Sequence, residues 1–368
     1  MRRLVTFWVG TGAIVVAGLL GAAWILNFHP SLDSRLARLF PLAAFGLGLG
    51  GVALLAWRPS DWGRHLDTAL TAIAWVLTSA LASGTLGTFH PAFDLLAHFR
   101  LHLLGLFVPV MIVLLLRRHG TEAFFLLITG IITLGTSDPF LPGISPERAA
   151  TVRTGDTLRI VQLNMRFNNR DTDLIVRRLM ETDADVFLLQ EVSRTTSRAI
   201  ERLDGWPHRH VCMFRDFRGV AVVSRVPFVE TIPCAEDGGV AAVTLDRPKP
   251  VTVVSLHAYW PWPSRQWQQL ERIRPLLNGL PEPLIVAGDF NATPWSAFVN
   301  AVARETRTRP AAGLRFTFNA MRVQSGDTRF GGLPIDHVLT SPNVAIRSLR
   351  LMPHAGSDHL GTVAEVAW

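Results

Sequence analysis

The chain has 368 residues, of which 49% are hydrophobic and 18% charged. That composition excludes a disordered chain and is too apolar for one ordinary soluble domain. The net charge of +7 rests almost wholly on arginine, Lys249 being the one lysine, and without a polybasic run it does not mark a nucleic-acid-binding arm. Charge is placed unevenly. Residues 1–150 hold 10 Lys+Arg and 7 Asp+Glu, whereas residues 151–368 hold 26 and 22. Two different materials are therefore joined near residue 150.

Taken in chain order, residues 4–27 contain no charged side chain, enough to span a bilayer core of about 30 Å at roughly 1.5 Å per residue. Met1-Arg2-Arg3 also resembles a signal peptide start, but further apolar runs come after it, which reads as a membrane anchor instead. Segments 38–57, 68–89, 97–116 and 122–139 complete an expected membrane domain of about five transmembrane helices over 1–141. The fourth is short and needs Arg100 to snorkel to the interface. Pro109 is tolerable within such a helix. His90, His98 and His102 read as interfacial histidines. Six arginines on one side against four on the other give an N-terminus-inside vote, and an odd number of spans then places the C-terminal part of the chain outside the cytoplasm.

Residues 142–157 form a polar linker with Pro and Gly. Beyond it, short apolar runs of strand length alternate with turns and a few helices. Strands are expected at 158–164 (LRIVQLN), 185–190, 208–214, 219–224, 240–245, 251–257, 284–287, 335–340, 344–351 and 362–367. Helices are expected at 171–181, with Asp171 as N-cap, and at 265–277 and 295–303. This pattern reads as one α+β domain over 158–368, two sheets covered by helices, with no internal repeat. Cys212 and Cys234 cannot build a disulfide framework and read as two unrelated buried thiols. A single bridge is the alternative in an oxidising compartment.

The chemistry sits at strand ends. Asn164 closes one strand, Gln190-Glu191 another and His257 a third. Gly288-Asp289-Phe290-Asn291-Ala292-Thr293-Pro294 comes after a fourth. Asp336-His337 opens a fifth, and Gly356-Ser357-Asp358-His359 precedes the last. Carboxylates and amides without cysteine suit a hard cation, Mg²⁺ or Mn²⁺. Such an ion polarises a phosphoryl oxygen, while histidine and asparagine supply the positive charge and donors an anionic phosphodiester needs. His337, by strand alternation, faces away from its neighbour Asp336.

With LN, QE, LH, GDFNATP, DHV and GSDH in this order, residues 157–368 resemble the endonuclease/exonuclease/phosphatase superfamily, the deoxyribonuclease I-like fold. The resemblance implies a four-layer α/β sandwich with two mixed sheets, in a membrane-anchored bacterial-type member of the inner membrane. It implies Glu191 as principal metal ligand, with Asn164 beside it and Asp358 as a second carboxylate near the metal. Asp289 would orient or deprotonate water and Asn291 would position Asp289 and the phosphate. His359 would contact the phosphate and pair with Asp336. His257 would be an acid for the leaving oxygen, although no carboxylate partner for it is visible among residues 219–226. The choice of base between Asp289 and the His359–Asp336 pair stays open.

The expected function is nuclease-like, metal-assisted hydrolysis of phosphodiesters at a membrane. The partners would be the bilayer and a nucleic-acid or phospholipid substrate. Tyr259-Trp260-Pro261-Trp262, next to the site, could stack on bases, dip into a membrane interface or simply pack the loop. A lipid phosphodiesterase or phosphatase is the alternative within the class. A non-catalytic scaffold or transporter with a degenerate domain is the alternative outside it.

Overall fold

The computed structural model describes residues 62–137, 155–214, 218–235, 238–263, 265–318 and 332–368. The segments expected to span at 4–27 and 38–57, and most of the linker, lie outside these residues. The chain divides into two compact units, Met1–Gly135 and Thr136–Trp368.

Within the first unit, α1 (Trp62–Gly84), α2 (Pro91–Ala97), α3 (Arg100–Leu116) and α4 (Gly120–Ser137) are apolar helices. Helices α1, α3 and α4 share a small buried cluster that includes Leu77, Leu81, Leu114 and Leu126. Val76, Leu116, Phe124 and Ile131 turn outward. Of the span expected over 97–116, α3 covers Arg100–Leu116, and Pro91–Ala97 form the separate helix α2. α2 and α3 meet at a bend of 61°. Pro91 at the first turn of α2 and His90 as its N-cap begin a separate helix. Arg100 does not snorkel outward. It is buried and donates to the Gly84 carbonyl at 2.6 Å.

The second unit has four layers. In chain order it comprises β1 (Thr157–Asn164), α5 (Thr172–Met180), β2 (Val186–Val192), α6 (Ser197–Glu201), β3 (His208–Cys212), β4 (Gly219–Ser224), β5 (Phe228–Ile232) and β6 (Val240–Leu245). Then come β7 (Val251–His257), α7 (Gln266–Asn278), β8 (Leu284–Asp289), α8 (Ala297–Glu305), β9 (Arg309–Pro310), β10 (Asp336–Thr340), β11 (Ala345–Leu351) and β12 (Thr362–Ala367). One sheet has the order β11-β12-β1-β2-β4-β3 and the other β5-β6-β7-β8-β10-β9. Each sheet has one parallel pair, β1 with β2 and β7 with β8. The strand order thus repeats, 12-1-2-4-3 against 6-7-8-10-9, although the sequence shows no repeat.

Period-two alternation builds the layers. Leu158, Ile160, Val186 and Leu188 face Val251, Val253, Ile285 and Ala287 between the sheets. Val161, Leu163, Phe187 and Leu189 face outward onto Ile175, Val176 and Leu179 of α5. Val254, Leu256 and Val286 face α7 and α8 through Leu270, Ile273, Phe298 and Val302. Asp171 caps α5 by accepting from Leu174 N at 3.0 Å. Ser296 does the same for α8 through Val299 N, so that helix starts at Ala297 rather than at Trp295. β5 escapes a reading by alternation because it is a solvent-facing outer strand in which only the end residues are half-buried.

Cys212 and Cys234 are not separate thiols. They form a disulfide with a Cα–Cα distance of 5.5 Å. Cys212 ends β3, the outer strand of one sheet, and Cys234 lies just past β5, the outer strand of the other. Stacking the sheets brings together two positions that have no local relation.

Candidate active site

The same alternation that fills the space between the sheets turns polar at one end of it. Along β1, the positions 158, 160, 162 and 164 read Leu, Ile, Gln, Asn. Along β7, positions 251, 253, 255 and 257 read Val, Val, Ser, His. β2 carries Gln190 close to its end, β8 ends in Asp289, and β10 begins with Asp336. All the parallel strands therefore point their carboxyl ends at one site, where α/β sheets commonly bind ligands. In register, Asn164 lies opposite Gln190, and Asp289 lies opposite both His257 and Asp336.

Glu191 reaches the site by breaking the alternation. By period two it belongs with Phe187 and Leu189 on the helix-covered face. The β2–β4 register slips between Gln190 and Val192, and Glu191 takes a left-handed φ of 54°. This β-bulge re-aims its side chain. Its Oε2 accepts from Phe167 N at 2.7 Å and its Oε1 from Asn164 Nδ2 at 3.1 Å. Asn291, with φ 47°, comes after Asp289 in a similar local turn. Its backbone N donates to Asp289 Oδ1 at 2.8 Å. Gly288 is demanded by packing, since a Cβ there would lie 1.8 Å from the Leu256 carbonyl oxygen on β7.

Asp289 is the hub. Its Oδ2 accepts from Asn164 Nδ2 at 2.9 Å and lies 3.7 Å from both His257 Nε2 and His359 Nε2. Burial pushes its carboxyl up to about 7, against the opposing pull of His359. His359 donates through Nδ1 to Asp336 Oδ2 at 2.8 Å. Burial disfavours charge on that ring, but Asp336 and Asp289 outweigh it and push His359 up to about 10. Burial alone would raise Asp336, yet His359, Thr317 and Gln162 hold it below its ordinary value. His257 goes the other way: burial lowers it to about 4, despite Glu191 4.0 Å away. Its carboxylate neighbours come from β2 and β8, not from β4. At neutral pH His359 is therefore charged and His257 is neutral, which makes His257 a poor proton donor.

All eight expected residues gather here. Asp358 joins through Arg166, whose Nε lies 3.8 Å from Asp358 Oδ2 and whose backbone N donates to Asn164 Oδ1 at 2.9 Å. His337 points away, hydrogen-bonded to the Ala292 carbonyl at 2.7 Å and packed on Phe290. Reading by motif names Gln190 only as part of QE, without a role, and misses Arg166, Gln162, Thr317 and Phe318. The two glutamines carried a signal, each being polar within an otherwise apolar buried strand. Phe318, packed on the His359 ring with centroids 5.0 Å apart, carried none.

The donor set fits a hard cation. Asp289, Asp336 and His359 lie close enough to hold an ion. However, His359 Nδ1 and both Asp336 oxygens are already engaged, by each other and by Gln162, and a charged imidazolium cannot ligate. Glu191 and Asp358, partly exposed at the outer edge of the cluster, are carboxylates that could hold it. Asn164 turns its NH₂ toward Glu191 and Asp289, so it acts there as a donor bridge.

The aromatic segment is pinned rather than loose. Buried Gln266 donates to the carbonyls of Tyr259 and Phe290, each at 3.0 Å, and Gln269 accepts from Tyr259 N at 2.7 Å. Arg218 lies over the Tyr259 ring at 4.6 Å. Trp260 is exposed, with its ring 6.0 Å from that of Phe318.

The pattern of the Endonuclease/Exonuclease/phosphatase family matches residues 161–359, more than half of the chain. The chain belongs to this family. It is a hydrolase acting on phosphoester bonds. No curated protein matches it. Among solved structures, it is similar to an endonuclease/exonuclease/phosphatase from Beutenbergia cavernae, with 21% identity and a TM-score of 0.43 over 57% of this chain and 71% of that one. A 3′ phosphatase from Neisseria bound to product DNA hairpin is 20% identical, with a TM-score of 0.44 over 57% and 100%. The beta toxin from Staphylococcus aureus with bound magnesium ions is 15% identical, with a TM-score of 0.44 over 57% and 99%.

Proposed function

We propose that the chain is a membrane-anchored, divalent-metal-dependent phosphodiesterase of nuclease-like type that cleaves its substrate by in-line attack of water. The observation that carries this reading is geometric: Asp289 Oδ2 lies 3.7 Å from both His257 Nε2 and His359 Nε2, with His359 Nδ1 2.8 Å from Asp336 Oδ2, and burial and charge push the Asp289 carboxyl and the His359 ring up, to about 7 and about 10. Pairs of titratable groups pushed apart by their surroundings mark acid and base roles.

Asp289, held at both oxygens by Asn291 and Asn164, orients the water and takes its proton. A group near 7 can do this at neutral pH, whereas His359, already protonated, cannot. His359 meets the negative oxygens of the phosphate, and Asp336 keeps it charged and aimed. Neutral His257 completes the polar wall as a hydrogen-bonding group. A cation at Glu191, with Asp358 beside it, would supply Lewis-acid polarisation of the phosphoryl oxygen and stabilise the leaving oxygen. The purified full chain should lose its hydrolysis of DNA in excess EDTA and regain it with Mg²⁺ or Mn²⁺. Undiminished turnover in EDTA would refute the metal dependence.

A second reading within the class, a phospholipid phosphodiesterase, has its own support. α1 and α4 are long and apolar enough to cross a membrane, and α2 with α3 would make a third span if the bent pair crosses as one. Exposed Trp260 stands beside the site. Mg²⁺-dependent turnover of DNA, RNA, phospholipid vesicles and a generic diester, measured side by side, separates the two readings. A strong preference for the vesicles would replace the nuclease-like choice.

We infer that the second unit lies outside the cytoplasm: the five expected spans and the Cys212–Cys234 bridge, of a kind that persists in oxidising compartments, both favour this side. Alkaline phosphatase fused after residue 150 should be active and a fluorescent cytoplasmic reporter dark. The reverse pattern would refute this topology.

A further inference from the structure

Beneath the catalytic cluster lies a closed polar network. Gln162, Gln190, Ser255 and Thr362 are each at most 1% exposed and sit between the two sheets. Thr362 Oγ1 donates to Gln162 Oε1 at 3.2 Å. The Gln162 NH₂ spends its two hydrogens on Asp336 Oδ1 at 2.7 Å and Gln190 Oε1 at 2.9 Å. Gln190 Nε2 donates in turn to Ser255 Oγ at 2.9 Å, and Ser255 Oγ to the Leu189 carbonyl at 3.0 Å. Each amide therefore has one sensible orientation. Flipping Gln162 would set its oxygen against a carboxylate.

We infer that Gln162 is a positioning residue for the hydrolytic reaction: it holds Asp336 so that Asp336 Oδ2 meets His359 Nδ1. The inference rests on the reading of the site proposed above. A carboxylate on β10 has two oxygens and rotates about its terminal bond. His359 occupies one oxygen, and Gln162, reaching across from the other sheet, occupies the second. Backbone support for Asp336 comes from Thr317 Oγ1, which accepts its N–H at 3.2 Å.

The period of β1 explains why this strand does the work. Gln162 and Asn164 are two residues apart, hence on one face and roughly 6.6 Å apart. Asp336 and Asp289 are directly opposed on β10 and β8. One strand of the first sheet thus presents two amides to two neighbouring carboxylates of the second, Gln162 to Asp336 and Asn164 to Asp289. The same strand sets the aim of both the His359 pair and the water-orienting carboxylate.

The test is a double-mutant cycle on the full chain, with Mg²⁺ and bis(p-nitrophenyl) phosphate as probe. Gln162→Met keeps the volume and removes the amide, and kcat should fall roughly 10–100-fold with KM within twofold, as when a supporting partner of a reacting group is lost. In an Asp336→Asn background the same change should cost less than twofold further. Ser255→Ala, which trims the network without touching Asp336, should stay within threefold of wild type. Gln162→Asn, whose shorter amide stops short of Asp336, gives the same reading if the Met variant fails to fold. Wild-type kcat in both Gln162 variants, or a full multiplicative loss on top of Asp336→Asn, overturns the inference. If Asp336→Asn itself is fully active, the reading of the site has failed instead.

Discussion

Asp289→Asn is expected to lower kcat on a phosphodiester by about 10³-fold while the protein stays folded, within the 10²–10⁴ range for losing a positioned general base. The carboxylate is replaced by an amide of equal size, so packing around a side chain only 1% exposed is preserved. The lost property is proton affinity, because an amide cannot accept the proton of water. The pH profile gives an independent check on the wild type. The form needed for hydrolysis has Asp289 ionised and His359 protonated. Activity should rise as pH climbs through the Asp289 value of about 7, or lower once a cation draws that value down. It should fall as pH climbs through about 10, where His359 gives up its proton. The alkaline limb should vanish in a weakly active His359→Asn variant. Wild-type kcat in Asp289→Asn would remove Asp289 from the chemistry, and an alkaline limb unchanged in His359→Asn would remove His359.

Breaking the Cys212–Cys234 bridge, by Cys212→Ser with Cys234→Ser or by dithiothreitol, should cost about 3 kcal/mol of stability. The closed segment is 22 residues long, and release of its ends returns entropy to the unfolded chain. For a domain of this size, that loss lowers the midpoint of thermal unfolding by roughly 6–12 °C. The bridge ties the outer strands of the two sheets, and the segment after Cys234 leads to Gly239, whose carbonyl accepts from His257 N at 2.7 Å. Calorimetry with and without reductant reads the effect directly. Equal midpoints would show that the stacked sheets need no staple at this edge.

Several features are legible in the unfolded string of residues. Alternating apolar positions in LRIVQLN and VTVVSLH locate β1 and β7, because side-chain direction in a strand depends only on residue parity. GDFN and SDH locate Asp289, Asn291, Asp358 and His359, because the chemistry of a phosphoester site demands those groups at strand ends. The break between α2 and α3 is less legible: Pro109 lies inside α3 without ending it, while the interruption falls at His98-Phe99, where no proline or glycine marks it.

By itself, then, the sequence determined the two-part organisation, the strand pattern, the family and the residues that meet at the site, since all of these arise from local chemistry and spacing. Only the tertiary structure decided how those residues divide the work. Glu191 enters the site through a bulge that parity forbids. Cys212 finds Cys234 because two sheets stack. Asp289, His359 and His257, ordinary titrating groups as bare residue types, are driven to about 7, 10 and 4. Burial and the distances between non-neighbours set those values, and neither quantity exists until the chain is folded.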